Sequence, residues 1–244
     1  MKRHLIFAAL LTVTLSLCGC VIVNFSGFNA VNGRGDPESF EFRVDEFNRV
    51  RVDGHIEIHH YAAASDTVKL EIQPNLLEHF IVEVKDDELV VRSTRNINFN
   101  SSKRPVLTVS APVLEGLTIT GAFDFTAHDK INSDSLRLNL SGAGTGRAEV
   151  DVGSLSVNVI GASNFVLSGL ADTADIVLSG ASDLDALTLQ TREAAIRLSG
   201  ASSAGISSSE SLMVNASGAG SVTYRGSPSL NLNTSGPVSV RKVE

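Results

Sequence analysis

Two cysteines close an apolar leader, and the second is the residue best placed for covalent chemistry. Lys2 and Arg3 precede an apolar run from Leu5 to Leu17, which ends in Leu17-Cys18-Gly19-Cys20. A basic start, an apolar stretch and a small residue before a cysteine make an export signal whose cleavage frees a thiol for lipid attachment. Gly19 gives Cys20 that small neighbour, whereas Leu17 denies it to Cys18. Residues 1–19 then read as a lipoprotein signal peptide, and Cys20 as the lipidated first residue. The competing reading is a retained helix, because the apolar run is nearly long enough to cross a bilayer. With Cys18 removed and Cys20 acylated, the folded part holds no cysteine and relies on packing alone.

The remaining reactive side chains are poorly spaced for catalysis. Asp124 and Asp183 each stand three residues after a repeated glycine, with Thr145 and Asn164 in the same place between them. Three rungs separate the two carboxylates, about 14 Å at the usual strand spacing. Glycoside cleavage needs roughly 5–9.5 Å. Asp172, Asp175 and Asp185 could meet at a corner around calcium, but they lack the spacing of a calcium loop. His55, Glu57 and His59 alternate on one strand face with His60 beside them. Strand residues four apart are roughly 13 Å distant, too far for a closed metal site. The many serines have no histidine near them to act as base. No catalytic residue, metal ligand or cofactor is therefore expected.

The element that must position all of these is a repeat. Between Leu117 and Val240 one phrase recurs as LTITGAF, LNLSGAG, VNVIGAS, IVLSGAS, IRLSGAS, VNASGAG and LNTSGPV. Its glycines are Gly121, Gly142, Gly161, Gly180, Gly200, Gly218 and Gly236, spaced by 21, 19, 19, 20, 18 and 18 residues. A fixed period near 20 marks a stacked architecture. Apolar residues alternate through each copy, the period of a half-buried strand, and the glycine shares their inward parity. Leu117, Leu138, Val157, Ile176, Ile196, Val214 and Leu232 form one predicted core column. Ile119, Leu140, Val159, Leu178, Leu198, Ala216 and Thr234 form the other. Ser141, Ser179, Ser199, Ser217 and Ser235 make an outward column, and Asn139, Asn158, Asn215 and Asn233 another. Stacked polar ladders of this kind keep the outside wet. Phe123, Phe125, Phe165 and Tyr224 have inward parity.

A copy of this length cannot bury its own apolar face, so neighbours must stack. The fold predicted is all-β, a parallel β-helix or β-solenoid of about 20-residue rungs, roughly 34 Å long for seven copies, with an N-terminal β capping region. Residues 20–39 read as a lipid-anchored, partly disordered tether, and 40–244 as a single β-solenoid domain. Within it, 40–112 is an irregular cap with early rungs, and 113–240 carries the seven repeats. In the cap, Val50, Val52, Gly54, Ile56 and Ile58 repeat the inward-glycine strand, and Val68, Leu70 and Ile72 make another. Ile81 to Val84 and Leu89 to Arg92 flank a tight turn as a hairpin. Val106 to Ser110 is a further strand, and Asn96 to Ser102 reads as an exposed loop. At the other end Pro237, Arg241 and Lys242 read as devices that block an exposed edge.

Without Lys2 and Arg3 the chain has 18 basic against 27 acidic residues. That balance argues against nucleic acid or anionic lipid as partner. The membrane link would be the lipid, and the residue after Cys20 is Val21 rather than an aspartate, which favours the outer membrane in a Gram-negative cell.

The tandem SGA-type repeats, the Val50-Arg51-Val52-Asp53-Gly54 strand and the lipoprotein-like start together resemble the auto-transporter adhesin family with the head GIN domain, over about Phe40 to Val240. The resemblance implies a β-helical fold similar to pectin lyase-like folds, a cell-surface or envelope location and a role in adhesion. It brings no catalytic residues. The reading is a non-enzymatic envelope lipoprotein whose partner is a surface macromolecule, polysaccharide or protein. The alternatives are a polysaccharide-processing β-helix and an envelope sensor or assembly partner. A cleft lined by Asp, Arg or Lys would favour processing; a flat face of serine and asparagine would favour adhesion.

Overall fold

The alternation of apolar and polar side chains is realised as strand along most of the described residues, because every second residue can reach a common interior. The computed structural model describes residues 29–94, 97–101 and 103–244. The expected signal peptide, Cys20 and the first part of the tether lie outside the described residues. In chain order the strands are β1 (Asn29–Asn32), β2 (Glu38–Phe42), β3 (Arg49–Asp53), β4 (Ile56–Ala62), β5 (Thr67–Ile72), β6 (Phe80–Lys85), β7 (Glu88–Ser93) and β8 (Ile97–Asn100). They continue as β9 (Val106–Ala111), β10 (Gly116–Ala127), β11 (Ile131–Gly180), β12 (Asp183–Gly200), β13 (Ser203–Gly218), β14 (Ser221–Arg225), β15 (Ser229–Ser235) and β16 (Ser239–Lys242). One helical turn, α1 (Pro74–Leu77), interrupts them.

The molecule is a β-solenoid of about six turns with roughly 20-residue rungs. Successive rungs pair in parallel with the glycines in register, Gly121 on Gly142 and Gly180 on Gly200 on Gly218. The two core columns stand as the alternation requires. Ile176, Ile196, Val214 and Leu232 stack in line, and so do Leu178, Leu198, Ala216 and Thr234. Gly54 lies beneath Gly121, because β3 and β4 pair with the two halves of β10. The cap strand is thus a true early rung.

The interior is filled unevenly. Phe125 sits over Gly146 in the next rung, and a Cβ on Gly146 would come within 2.0 Å of the Phe165 ring. The missing side chain lets Phe125 and Phe165 stack across that rung, centroids 6.2 Å apart and 13° from parallel. All four aromatics assigned inward lie in or against the core.

Below β10 the coil divides. One stack runs β3, β7, β6, closed by the antiparallel β6–β7 hairpin. The other runs β4, β9, β5, β2, turning antiparallel at β5. Together they cover the core's N-terminal end. Two segments differ from the expectation. Within the stretch read as tether, β1 is a strand, and part of the Asn96 to Ser102 loop is β8, paired in parallel with β1. Four-residue strands are too short to show alternation, and their partners lie more than 60 residues apart in the chain.

Candidate functional site

The rungs are unequal in length, and the difference is absorbed at one corner. From β12 to β13 the pairing jumps from Ala186–Ile206 to Gln190–Ser207, and again between Thr191 and Glu193. Leu187, Thr188 and Leu189 therefore have no partner in β13, although Thr188 and Leu189 still pair with Ser168 and Gly169 in the rung below and Leu189 stays buried. The overhang forms the wall of a groove of about 850 Å3 that crosses several rungs. Its floor is a set of registered columns. Leu170, Gln190, Ser207 and Arg225 follow one another, with Ala171, Thr191 and Ser208 alongside. Asp151 precedes Leu170 in the first column, since Gly169 stacks on Val150.

The two arginines of the groove are held by neighbours. Arg192 Nε donates to Glu210 Oε1 at 3.0 Å, and that bond strengthens its hold on the proton. Arg225 Nε donates to the Glu244 carbonyl at 2.9 Å, and its Nη1 reaches the Leu187 carbonyl on the overhang at 3.5 Å. Thr191 and Ser208 point inward and donate to the Ser207 and Arg192 carbonyls at 2.9 and 3.0 Å, so the irregular backbone is satisfied from within. Asp151 and Asp172 remain exposed on the groove surface.

Of the carboxylates singled out in the sequence, Asp172 lines the groove and the others fall elsewhere. Asp124 pairs with Arg104 and accepts from Thr145 Oγ1 at 2.6 Å; Asp183 stands in the same column beyond Asn164. Asp172, Asp175 and Asp185 do not gather: Asp175 pairs with Arg197, and Asp185 accepts from its own Leu187 N–H at 3.2 Å. Among the described residues no three His, Cys, Asp or Glu side chains are placed to hold a metal ion.

The histidines of β4 separate by parity. His59 faces out and His60 faces in. Glu57 Oε1 accepts from His59 Nε2 at 3.1 Å, which leaves His59 Nδ1 to accept from His128 Nε2 at 2.8 Å. Tyr61 stacks on His128 at 4.4 Å. The sequence reading missed His128. Aligning Ile58 with Phe125 would have found it, because Thr126 then pairs with His59 and His128 follows two residues later.

His60 is 3% exposed and neither ring nitrogen has a hydrogen-bond partner. Burial pushes its pKa down to about 4, against a smaller upward pull from Asp129. The folded chain thus holds His60 neutral while the unfolded chain binds a proton below about 6.5. This contribution is present above that pH and is lost as pH falls toward 4, by about 3 kcal/mol in total. Urea melts at pH 7.5, 5.5 and 4 should show the wild type losing that much more than His60→Gln. Parallel losses would contradict the assignment.

An inner serine column also went unread. Ser163, Ser182 and Ser202, two residues after their glycines, are buried and donate to the carbonyls of Gly142, Gly161 and Gly180 at 3.2–3.4 Å. The outer serines behave as a ladder at Ser179 and Ser199, whose hydroxyls are 2.8 Å apart.

The family model described as "Putative auto-transporter adhesin, head GIN domain" matches residues 46–228. Crystal structures that share the fold include the following three. A putative adhesin from Bacteroides fragilis NCTC 9343 is 20% identical, with a TM-score of 0.81, over 87% of this chain and 100% of its own. A putative lipid binding protein from Parabacteroides distasonis ATCC 8503 is 17% identical, with a TM-score of 0.72, over 88% and 100%. A putative adhesin from Parabacteroides merdae ATCC 43184 is 20% identical, with a TM-score of 0.70, over 88% and 99%. The comparison with curated proteins gives no match.

Proposed function

The chain belongs to the head GIN domain family of auto-transporter adhesins, and from that premise we propose that it is a non-enzymatic adhesive protein of the cell envelope, lipid-anchored at Cys20, that lays an extended polysaccharide into the corner groove. The observation that carries this reading is the groove's construction. It crosses successive rungs and offers hydroxyl, amide and charged groups in registered columns, a repeating surface suited to a repeating polymer. Exposed Leu170 and half-buried Leu187 add apolar patches for the faces of sugar rings.

Asp151 and Asp172 lie on neighbouring rungs of the groove, and this pairing is what a polysaccharide-processing reading would use. Both are exposed rather than enclosed by apolar groups, the setting that general-acid catalysis requires. Binding without turnover is the better fit.

Purified full-length chain should retain a polysaccharide from a panel of surface glycans. Asp172→Ala and Arg192→Ala should each weaken retention by about tenfold or more, as lost charge-assisted hydrogen bonds do. Retention unaffected by either change would place binding elsewhere, and release of shortened chains would establish processing instead. The anchor has its own test. Fatty-acid labelling should be lost in Cys20→Ala, and unchanged labelling would remove the lipoprotein reading.

A further inference from the structure

The last rung exposes what every earlier rung buries. In β15 the inward residues Leu230 and Leu232 are 42% and 47% exposed, while Leu212 and Val214 directly beneath them are fully buried. Among the described strands β15 pairs only with β13, so its other edge is open. The margins of the main sheet are β2, β6, β15 and β16. Three of them carry charge: Glu38 and Glu41 on β2, Glu83 and Lys85 on β6, Arg241 and Lys242 on β16. The blocking residues expected at this end, Pro237, Arg241 and Lys242, all lie after β15. The seven residues Ser-Leu-Asn-Leu-Asn-Thr-Ser of β15 contain neither charge nor proline. Such an edge is a template for another strand.

We propose that the occupant is β15 of a second copy, paired antiparallel about a two-fold axis through Leu232. The sequence of β15 is nearly a palindrome about that residue. The two-fold sets Leu232 against Leu232, Asn231 against Asn233 and Ser229 against Ser235, with only Leu230 against Thr234 departing from symmetry. A contact that uses the same patch on both partners needs this self-complementarity. An axis perpendicular to the sheet keeps both interiors on one side, so the exposed leucines meet and the two cores join end to end. The charged margins of the cap make it a poor substitute, so pairing closes at two copies rather than continuing into a filament. The contact uses none of the residues that line the groove and stands independently of the polysaccharide reading.

Sedimentation velocity of the full-length chain in mild detergent should show a reversible dimer. Leu232→Lys, at a half-exposed position, should leave thermal unfolding unchanged and weaken pairing by more than about tenfold, because two ammonium groups would meet on the axis. Mixed Asn231→Cys and Asn233→Cys chains should oxidise to a cross-link between those two positions, identified by peptide mapping. A wild-type chain that stays monomeric into the millimolar range would overturn the proposal. So would a dimer indifferent to Leu232→Lys, or cross-links in any other register.

Discussion

Gly142→Ala is expected to unfold the solenoid or leave it barely folded. Gly142 has φ +134°, in the region that side chains rarely adopt. A Cβ there would lie 1.9 Å from the carbonyl oxygen of Gly121 in the rung below. The clash is with backbone, and the same glycine stack continues through Gly161 above, so the corner cannot yield locally. Strain and overpacking together should cost about 3–6 kcal/mol, comparable to the stability of an ordinary domain. The neighbouring exposed Ala143→Ser should stay within about 0.5 kcal/mol. Urea melts of both variants check the contrast, and a Gly142→Ala chain of near-normal midpoint would mean that the column can open at little cost.

Leu178→Ala should be the second most damaging change. Leu178 is fully buried and stacks directly on Leu198. Truncation loses the transfer energy of the removed carbons and leaves a cavity between rungs, at about 2–5 kcal/mol. Ser179→Ala, one residue on, should cost about 1 kcal/mol, the net value of the hydroxyl contact with Ser199. That exceeds what a freely exposed serine would lose, because neighbouring rungs half-cover the outer ladder. Equal losses at the two positions would contradict the period-two register.

The columns were legible because one rule governs them. Each strand alternates, each copy repeats, and the glycine keeps inward parity, so Leu178 and Ser179 could be assigned to opposite environments without coordinates. The same parity would have placed Ser163, Ser182 and Ser202 inside, yet serines are read as surface residues by habit. Their buried hydroxyls are tolerated because the glycine carbonyls offer acceptors there. The groove was half legible. Unequal spacings show that a rung must bulge, but not that Leu187 to Leu189 is the stretch left without partners in β13. β1 and β8 were illegible, since nothing in four residues announces a partner so distant in the chain. The exposure of Leu230 and Leu232 depends on position in the stack rather than on residue type.

The glycine corner returns the chain to the same lateral position after each circuit. A tandem duplication of a single rung would therefore insert between existing rungs without disturbing cap or terminus. The rod would lengthen in quanta of about 4.8 Å. An ancestral line could thus tune the length of the rod by copy number, with each change inherited as a whole structural unit rather than refined residue by residue.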